Sequence, residues 1–178
     1  MSPEFSRTWR VDTLGADPRQ VEIAADQPER AALAERFGLV AIDRLEAEAA
    51  LSRHVETVTA VGTIRAAVTQ SCVATGDPVE EQVEAPFRIE FRPHPGPGGA
   101  DEEVELGETE LDVVFYDGAA VDLGEAVAET LSLSLDPYPR APGAGEALRE
   151  AGVKDEEQAA RDSSPFAALQ GLKDKLAK

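Results

Sequence analysis

The clearest pattern in the chain is a strict alternation over 57–71. Val58, Ala60, Gly62, Ile64, Ala66 and Val68 fall on one face, while Thr57, Thr59, Thr63 and Arg65 fall mostly on the other. A period of two with one apolar side predicts a strand buried on a single face. A second β-type segment precedes it over about 39–52. Alternation resumes over 79–92, where Val83, Phe87, Ile89 and Phe91 take the apolar positions. The turn between them is Thr75-Gly76-Asp77-Pro78. Pro86 removes a ladder hydrogen bond, so this strand is predicted to lie at an edge or to start after the proline. Two short strands are expected within 4–25, EFSRTWRV and RQVEIAA, with a turn at Gly15 to Pro18. LDVVFY (111–116), closed by Asp117-Gly118, reads as another.

The helical signals are fewer. Asp26 caps a helix in which Pro28 suits the first turn and Glu29 sits at the positive end of the dipole. Ala31, Leu33, Ala34 and Phe37 continue it, and Gly38 is a natural left-handed stop. Asp122-Leu123-Gly124-Glu125 opens the clearest helix. Asp122 is placed to accept the Glu125 amide and Glu125 to reach back, the geometry of a capping box. Leu123, Val127, Leu131 and Leu135 form its apolar stripe, and Pro137 ends it. From 141 to 163 the composition turns to Gly, Ala and charge, with a weak helical stretch near 145–151. Ser164 and Pro165 then start a short amphipathic helix carrying Phe166, Leu169, Leu172 and Leu176 on one face.

The sum is an α+β domain over 1–140, a flexible linker over 141–163 and a tail helix over 164–178. The expected architecture is a mostly antiparallel sheet or partly open barrel packed with one or two helices. The tail stripe needs burial, either on the domain or in a groove on a partner. The length and glycine content of the linker favour the partner.

Composition changes this picture through charge. The chain has 178 residues, with 17 Lys+Arg against 35 Asp+Glu, a net of −18. Residues 136–178 hold 8 acids and 7 bases, so the first 135 hold 27 and 10, a net of −17. Such a field argues against unaided binding to a phosphate backbone and is compatible with basic protein partners. Aromatics are only 5%, so the core must be largely aliphatic. Cys72 is the single cysteine, which leaves no internal disulfide and no multi-thiolate zinc site. MSPEFSRTWR has no apolar export core, and no run approaches the ~18 apolar residues of a membrane span. A cytoplasmic protein is expected.

A search for chemistry finds little. Cys72, His54 and His94 are the only elements of a nucleophile–base pair, and His94 lies in a Pro/Gly loop. Glu80-Glu81 and Asp101-Glu102-Glu103 read as solvated charges. There is no HExxH, EF-hand, CxxC, P-loop or dinucleotide fingerprint. Arginines interleave with aromatics at Phe5-Ser-Arg7-Thr-Trp9-Arg10 and at Phe87 to Arg92, which are candidate nucleic-acid patches or ordinary amphipathic strands. No catalytic residue, cofactor, metal or small-molecule substrate is expected.

Three segments carry a resemblance: CVATGDPVEEQVEAPFRIEF (72–91), YDGAAVDLGEAVAETLSLSLDPYPRAPGA (116–144) and SPFAALQGLK (164–173). Together they resemble the YceD-like family, the large ribosomal RNA subunit accumulation proteins, in the alphaproteobacterial style. Val121 to Arg140 is the most specific part. The resemblance implies a bacterial, cytosolic, non-enzymatic factor for 23S rRNA accumulation and large-subunit biogenesis. Its partner would be a basic large-subunit ribosomal protein or, alternatively, pre-23S rRNA contacted directly. Members of the family often carry further cysteines at the strand end and after the proline-rich segment. Here Thr75 occupies the second position and PYPRAPGA has none, so no metal is carried over. Within this frame Asp122, Leu123, Gly124, Glu125, Pro137 and Pro139 form a structural motif. Tyr138 and Arg140, stiffened between prolines, are partner-binding candidates. The acidic Glu102, Glu103, Glu105 and Glu108 and the apolar Phe166, Leu169 and Leu172 are further candidates.

Overall fold

The structure is a computed structural model and describes residues 3–94 and 112–154. Along the chain come β1 (Thr8–Arg10), a 3-10 turn (Val11–Thr13), β2 (Arg19–Ala24), α1 (Gln27–Phe37), β3 (Ala41–His54), β4 (Thr57–Ser71) and β5 (Pro78–Pro93). They are followed by β6 (Asp112–Tyr116), β7 (Ala120–Asp122), α2 (Leu123–Ser134) and α3 (Ala144–Glu150). The main sheet has the order β2-β3-β4-β5-β6, and β1 pairs with β7 in a separate ribbon. All main-sheet pairs are antiparallel except β5–β6, which is parallel. The fold is α+β with an open sheet, and the barrel alternative is not formed.

The alternation over 57–71 does what a period of two requires. Val58, Ala60, Ile64, Ala66 and Val68 are buried, and Leu45, Ala47, Ala49 and Leu51 of β3 and Ile89 and Phe91 of β5 lie on the same side. A register shift between Ile42 and Arg44 leaves Asp43 and Arg44 exposed and returns Leu45 to the core. β5 runs through Pro86, so the strand does not start after the proline. Nor is β5 an edge strand, since it lies between β4 and β6; Pro86 faces Thr63 of β4, and the described part of β6 pairs from Ile89 onward.

Helices cover one face. α1 packs on β3 through the buried Leu33 and Ala34; α2 packs on β4 and β5 through Leu123, Val127 and Leu131. Each buried leucine is worth about 1.5–3 kcal/mol over exposure. The capping box forms at α1, where Asp26 accepts the Glu29 amide and the Glu29 side chain accepts the Asp26 amide. Gly38, at φ 67°, closes that helix in the left-handed region. At α2 the expected box is only half made, and this corrects the sequence reading. Asp122 caps, but the Glu125 carboxylate turns to Arg36 at 2.9 Å instead of reaching back.

Gly62 lies on the buried side of β4. A Cβ there would overlap the Glu48 carbonyl oxygen and come within 2.8 Å of Phe87 Cζ and 2.9 Å of Ala49 Cα. Ala is ordinarily the better residue in a strand, but here two of the three neighbours are backbone. Gly62→Ala should destabilise by about 1–3 kcal/mol, the cost of overpacking, read as a lower urea midpoint at unchanged slope; a neutral or stabilised variant would show that the close approach is relaxed in solution.

Candidate functional site

The segment with the most specific sequence, Val121 to Arg140, divides into a part turned inward and a part turned outward. Asp122 is the inward hub. Its carboxylate accepts the Ser6 hydroxyl, the Arg7 amide at 2.8 Å, the Gly124 amide at 3.0 Å and the Glu125 amide at 3.3 Å. The Leu123 amide donates to the Arg7 carbonyl at 3.0 Å. Gly124 lets the N-terminal segment pass, since a Cβ there would lie 2.7 Å from the Phe5 carbonyl oxygen and 2.8 Å from the Arg7 nitrogen. Arg7 continues the seam by pairing with both oxygens of Glu29, and Arg36 joins Glu4 to Glu125. Asp122, Leu123, Gly124 and Glu125 therefore hold the N-terminal segment against the starts of two helices.

The outward part is Pro137 to Arg140. Three bonds fix it. The Tyr138 amide donates to Asp136 Oδ1 at 2.9 Å, Gln70 Nε2 donates to the Asp136 carbonyl at 3.1 Å, and the Val73 amide donates to the Pro139 carbonyl at 2.9 Å. Pro139 is buried, while Pro137, Tyr138 and Arg140 are exposed. Tyr138 is 71% exposed and does not fold back over the helix end. An aromatic and a guanidinium are thus presented side by side on immobilised backbone.

Beneath this segment lies the Cys72 turn. The Cys72 amide donates to the Asp77 carbonyl at 2.7 Å and its carbonyl accepts the Gly76 amide at 2.9 Å. The buried thiol faces the Thr75 hydroxyl and the amides of Ala141, Ala74 and Thr75, which together lower its pKa from 9.0 to about 7. Thr75 also donates to Asp77 Oδ2 at 2.7 Å, and one hydroxyl proton serves one acceptor at a time. His54 and His94 lie at the far end of the sheet, since His54 pairs with Thr57 and Phe91 with Val58. The fifteen residues of β4 separate them from Cys72 by roughly 45 Å. No cysteine–histidine pair is assembled. Among the described residues no group of three or more His, Cys, Asp or Glu is placed to hold a metal.

The second distinctive surface was not legible in the sequence. The sheet face away from the helices carries Glu22, Glu46, Glu48 and Glu84, brought together by register: Glu22 faces Glu48, Glu46 faces Arg65, and Arg65 faces Glu84. Arg65 bonds Glu48 at 2.8 Å and Glu84 at 3.3 Å, leaving the surplus acidic. Like charges directly opposite across strands destabilise a sheet, and the pair Glu22–Glu48 is retained despite that.

In the candidate nucleic-acid patches Arg7, Arg10 and Arg92 are paired with carboxylates, and Arg88 has no such pair among the described residues. Phe5 is fully buried under Arg7, whose guanidinium is 4.7 Å from the ring centroid; Arg10 pairs with Asp12, and Arg92 with Glu90. Trp9 is half-buried beneath Arg19, at 5.0 Å. Glu102, Glu103, Glu105, Glu108, Phe166, Leu169 and Leu172, with the expected tail helix, lie outside the described residues.

Fold and surface together define an α+β scaffold with helices on one side, an acidic sheet face on the other and a proline-held aromatic at one end. The chain belongs to the YceD family, described as large ribosomal RNA subunit accumulation protein YceD, whose model matches residues 60–173. The match starts within β4 and takes in Asp122 to Arg140, whereas Ser6 and Arg7, which bond Asp122, precede it. No curated protein and no solved structure gives a match. No helix among the described residues is long and apolar enough to cross a membrane.

Asp122→Ala should cost more than Asp26→Ala. Losing an ordinary cap costs about 1 kcal/mol, while removing Asp122 also frees the Ser6 and Arg7 donors and should cost at least about 2; equal losses in chemical denaturation would show that the N-terminal segment is not held there. For Cys72 the sign follows from the lowered pKa. The fold favours the thiolate, so its contribution to stability is full above pH 9.0 and is lost as pH falls through about 7. Ultraviolet thiolate absorbance should titrate near pH 7 in the folded protein, and Thr75→Val should move the midpoint upward; an unmoved midpoint would remove the hydroxyl from the account.

Proposed function

We propose that this chain is a non-enzymatic, cytoplasmic factor that supports 23S rRNA accumulation by contacting basic ribosomal proteins during large-subunit assembly in bacteria, as a member of the alphaproteobacterial type. Family membership supplies the link to large-subunit ribosomal RNA. The observation that carries the protein-contact reading is how the arginines are engaged. All ten bases of the first 135 residues are arginine. Arg7, Arg10, Arg36, Arg44, Arg65 and Arg92 pair with carboxylates. Arg30 and Arg53 donate to backbone carbonyls, and Arg19 lies over Trp9. Among the described residues that leaves Arg88, against a large excess of acids. A phosphate backbone needs several uncommitted cations, and a basic protein needs the reverse.

The sheet face with Glu22, Glu46, Glu48 and Glu84 and the acidic run Glu102, Glu103, Glu105 and Glu108 would steer such a partner. Tyr138 and Arg140 would supply the short-range contact, since anchors of this kind dominate interface energetics. A second reading, direct contact with pre-23S rRNA, is favoured by the same exposed tyrosine and arginine, which can stack on a base and pair with a phosphate.

A salt-titrated binding assay separates the two, with purified basic large-subunit proteins in one arm and a naked 23S fragment in the other. Replacing Glu22, Glu46, Glu48 and Glu84 by Gln should slow association with the proteins by about tenfold or more at low salt and by little at high salt. Tyr138→Ala should act mainly on dissociation. Association rates that stay unchanged at low ionic strength, or tight RNA binding with a steep salt slope, would transfer the function to the RNA reading.

A further inference from the structure

Among the described residues the helical layer ends before the sheet does. α1 lies on β3 and α2 on β4 and β5, while β6, the outermost strand, has no described helix over it. Between β6 and α2 runs a groove of about 200 Å³ lined by Ile89, Asp112, Val114, Ala126, Thr130 and Leu133. Leu133 is 80% exposed beside it, although α2 is otherwise a well-buried helix. β6 has apolar residues on both faces: Val114 and Tyr116 share the buried side with Phe91, and Val113 and the half-exposed Phe115 lie opposite. It carries neither Lys nor Pro, the usual protections of a free edge. A helix is ~10 Å across, about two strand spacings, so one more would fit over this edge beside α2.

We propose that the chain's own residues 165–177 occupy this berth, as a third helix of the covering layer with Phe166, Leu169, Leu172 and Leu176 turned onto β6 and Leu133. Three observations select this occupant. Its apolar positions recur at steps of three, three and four, one stripe on a helix. Such a helix would be ~20 Å long against ~17 Å for the five residues of β6. Its Lys173 and Lys175 complement Asp112 and Glu129, which rim the groove. The ten residues 155–164 span up to ~33 Å when extended, which sets how far the segment can travel from the end of α3. The family match also runs on to residue 173, so three of the four stripe residues belong to the same unit as β6 and α2. The inference stands apart from the choice of ribosomal partner, and it gives the stripe an intramolecular destination.

Paired cysteines test it in the full chain. With Cys72→Ser as background, Leu133→Cys and Leu169→Cys should form a disulfide at monomer mass, at a yield independent of protein concentration. Val40→Cys with Leu169→Cys, placed on exposed surface beside α1, should not. Crosslinking at dimer mass would assign the berth to a second copy and overturn the proposal. Where no disulfide forms, hydrogen exchange decides. Leu169→Asp with Leu172→Asp should reduce protection of the Val113–Tyr116 amides by about tenfold or more while β3 and β4 keep theirs. Unchanged protection of β6 would overturn the proposal.

Discussion

The carboxylate of Asp122 accepts from four donors in two distant parts of the chain, and the covered side of the sheet depends on that convergence. Two donors are amides of the first turn of α2, which any N-cap would satisfy. The others are the Ser6 hydroxyl and the Arg7 amide, more than a hundred residues away. Because one group serves both, the start of α2 and the N-terminal segment are tied at a single carboxylate, and the Leu123–Arg7, Arg7–Glu29 and Arg36–Glu4 bonds and the β1–β7 pairing extend that tie. Phe5 then sits fully buried, Arg7 reaches Glu29 at the start of α1, and Arg36 near the end of α1 reaches Glu125. Loss of Asp122 would loosen the contact between both helices, not a single cap.

This arrangement shows which parts of the structure were readable in the residues. The long strands were, because alternation over 57–71 is a direct consequence of one buried face. Capping was readable in kind but not in assignment. Asp26 and Glu29 have the same spacing as Asp122 and Glu125, and only the former pair closes the box. What decides is Arg36, brought to Glu125 by tertiary packing that local spacing does not encode. β7 was missed because three residues are too few to show a period, and its partner β1 is far off in sequence. The parallel pairing of β6 was likewise hidden, since LDVVFY fits either direction.

The candidate surfaces divide along the same line. Tyr138 stood out in the sequence because flanking prolines stiffen the backbone independently of context. Its exposure follows from bonds made by Val73, Asp136 and Gln70, two of them from beyond the motif. The acidic sheet face was invisible. Glu22, Glu46, Glu48 and Glu84 lie on three strands, and only the cross-strand register makes them neighbours. No linear scan for charge runs finds a patch whose members are separated by turns.

A consequence follows for what the family's most specific segment reports. In Asp122, Leu123, Gly124 and Glu125 each residue type is demanded by the fold: an acceptor for four donors, a fully buried apolar side chain, a residue without a Cβ where the N-terminal segment crosses, and an acid opposite Arg36. Such a tetrapeptide identifies the fold strongly and says little about the activity, because all four positions are engaged in packing. Binding needs groups left over after packing is satisfied. Under the proposed function those groups are the carboxylates that outnumber the arginines, together with a tyrosine and an arginine held outward by buried prolyl backbone. The tetrapeptide at the start of α2 and the residues available to a partner are therefore different sets within one segment, and the buried Pro139 fixes what lies on either side of it.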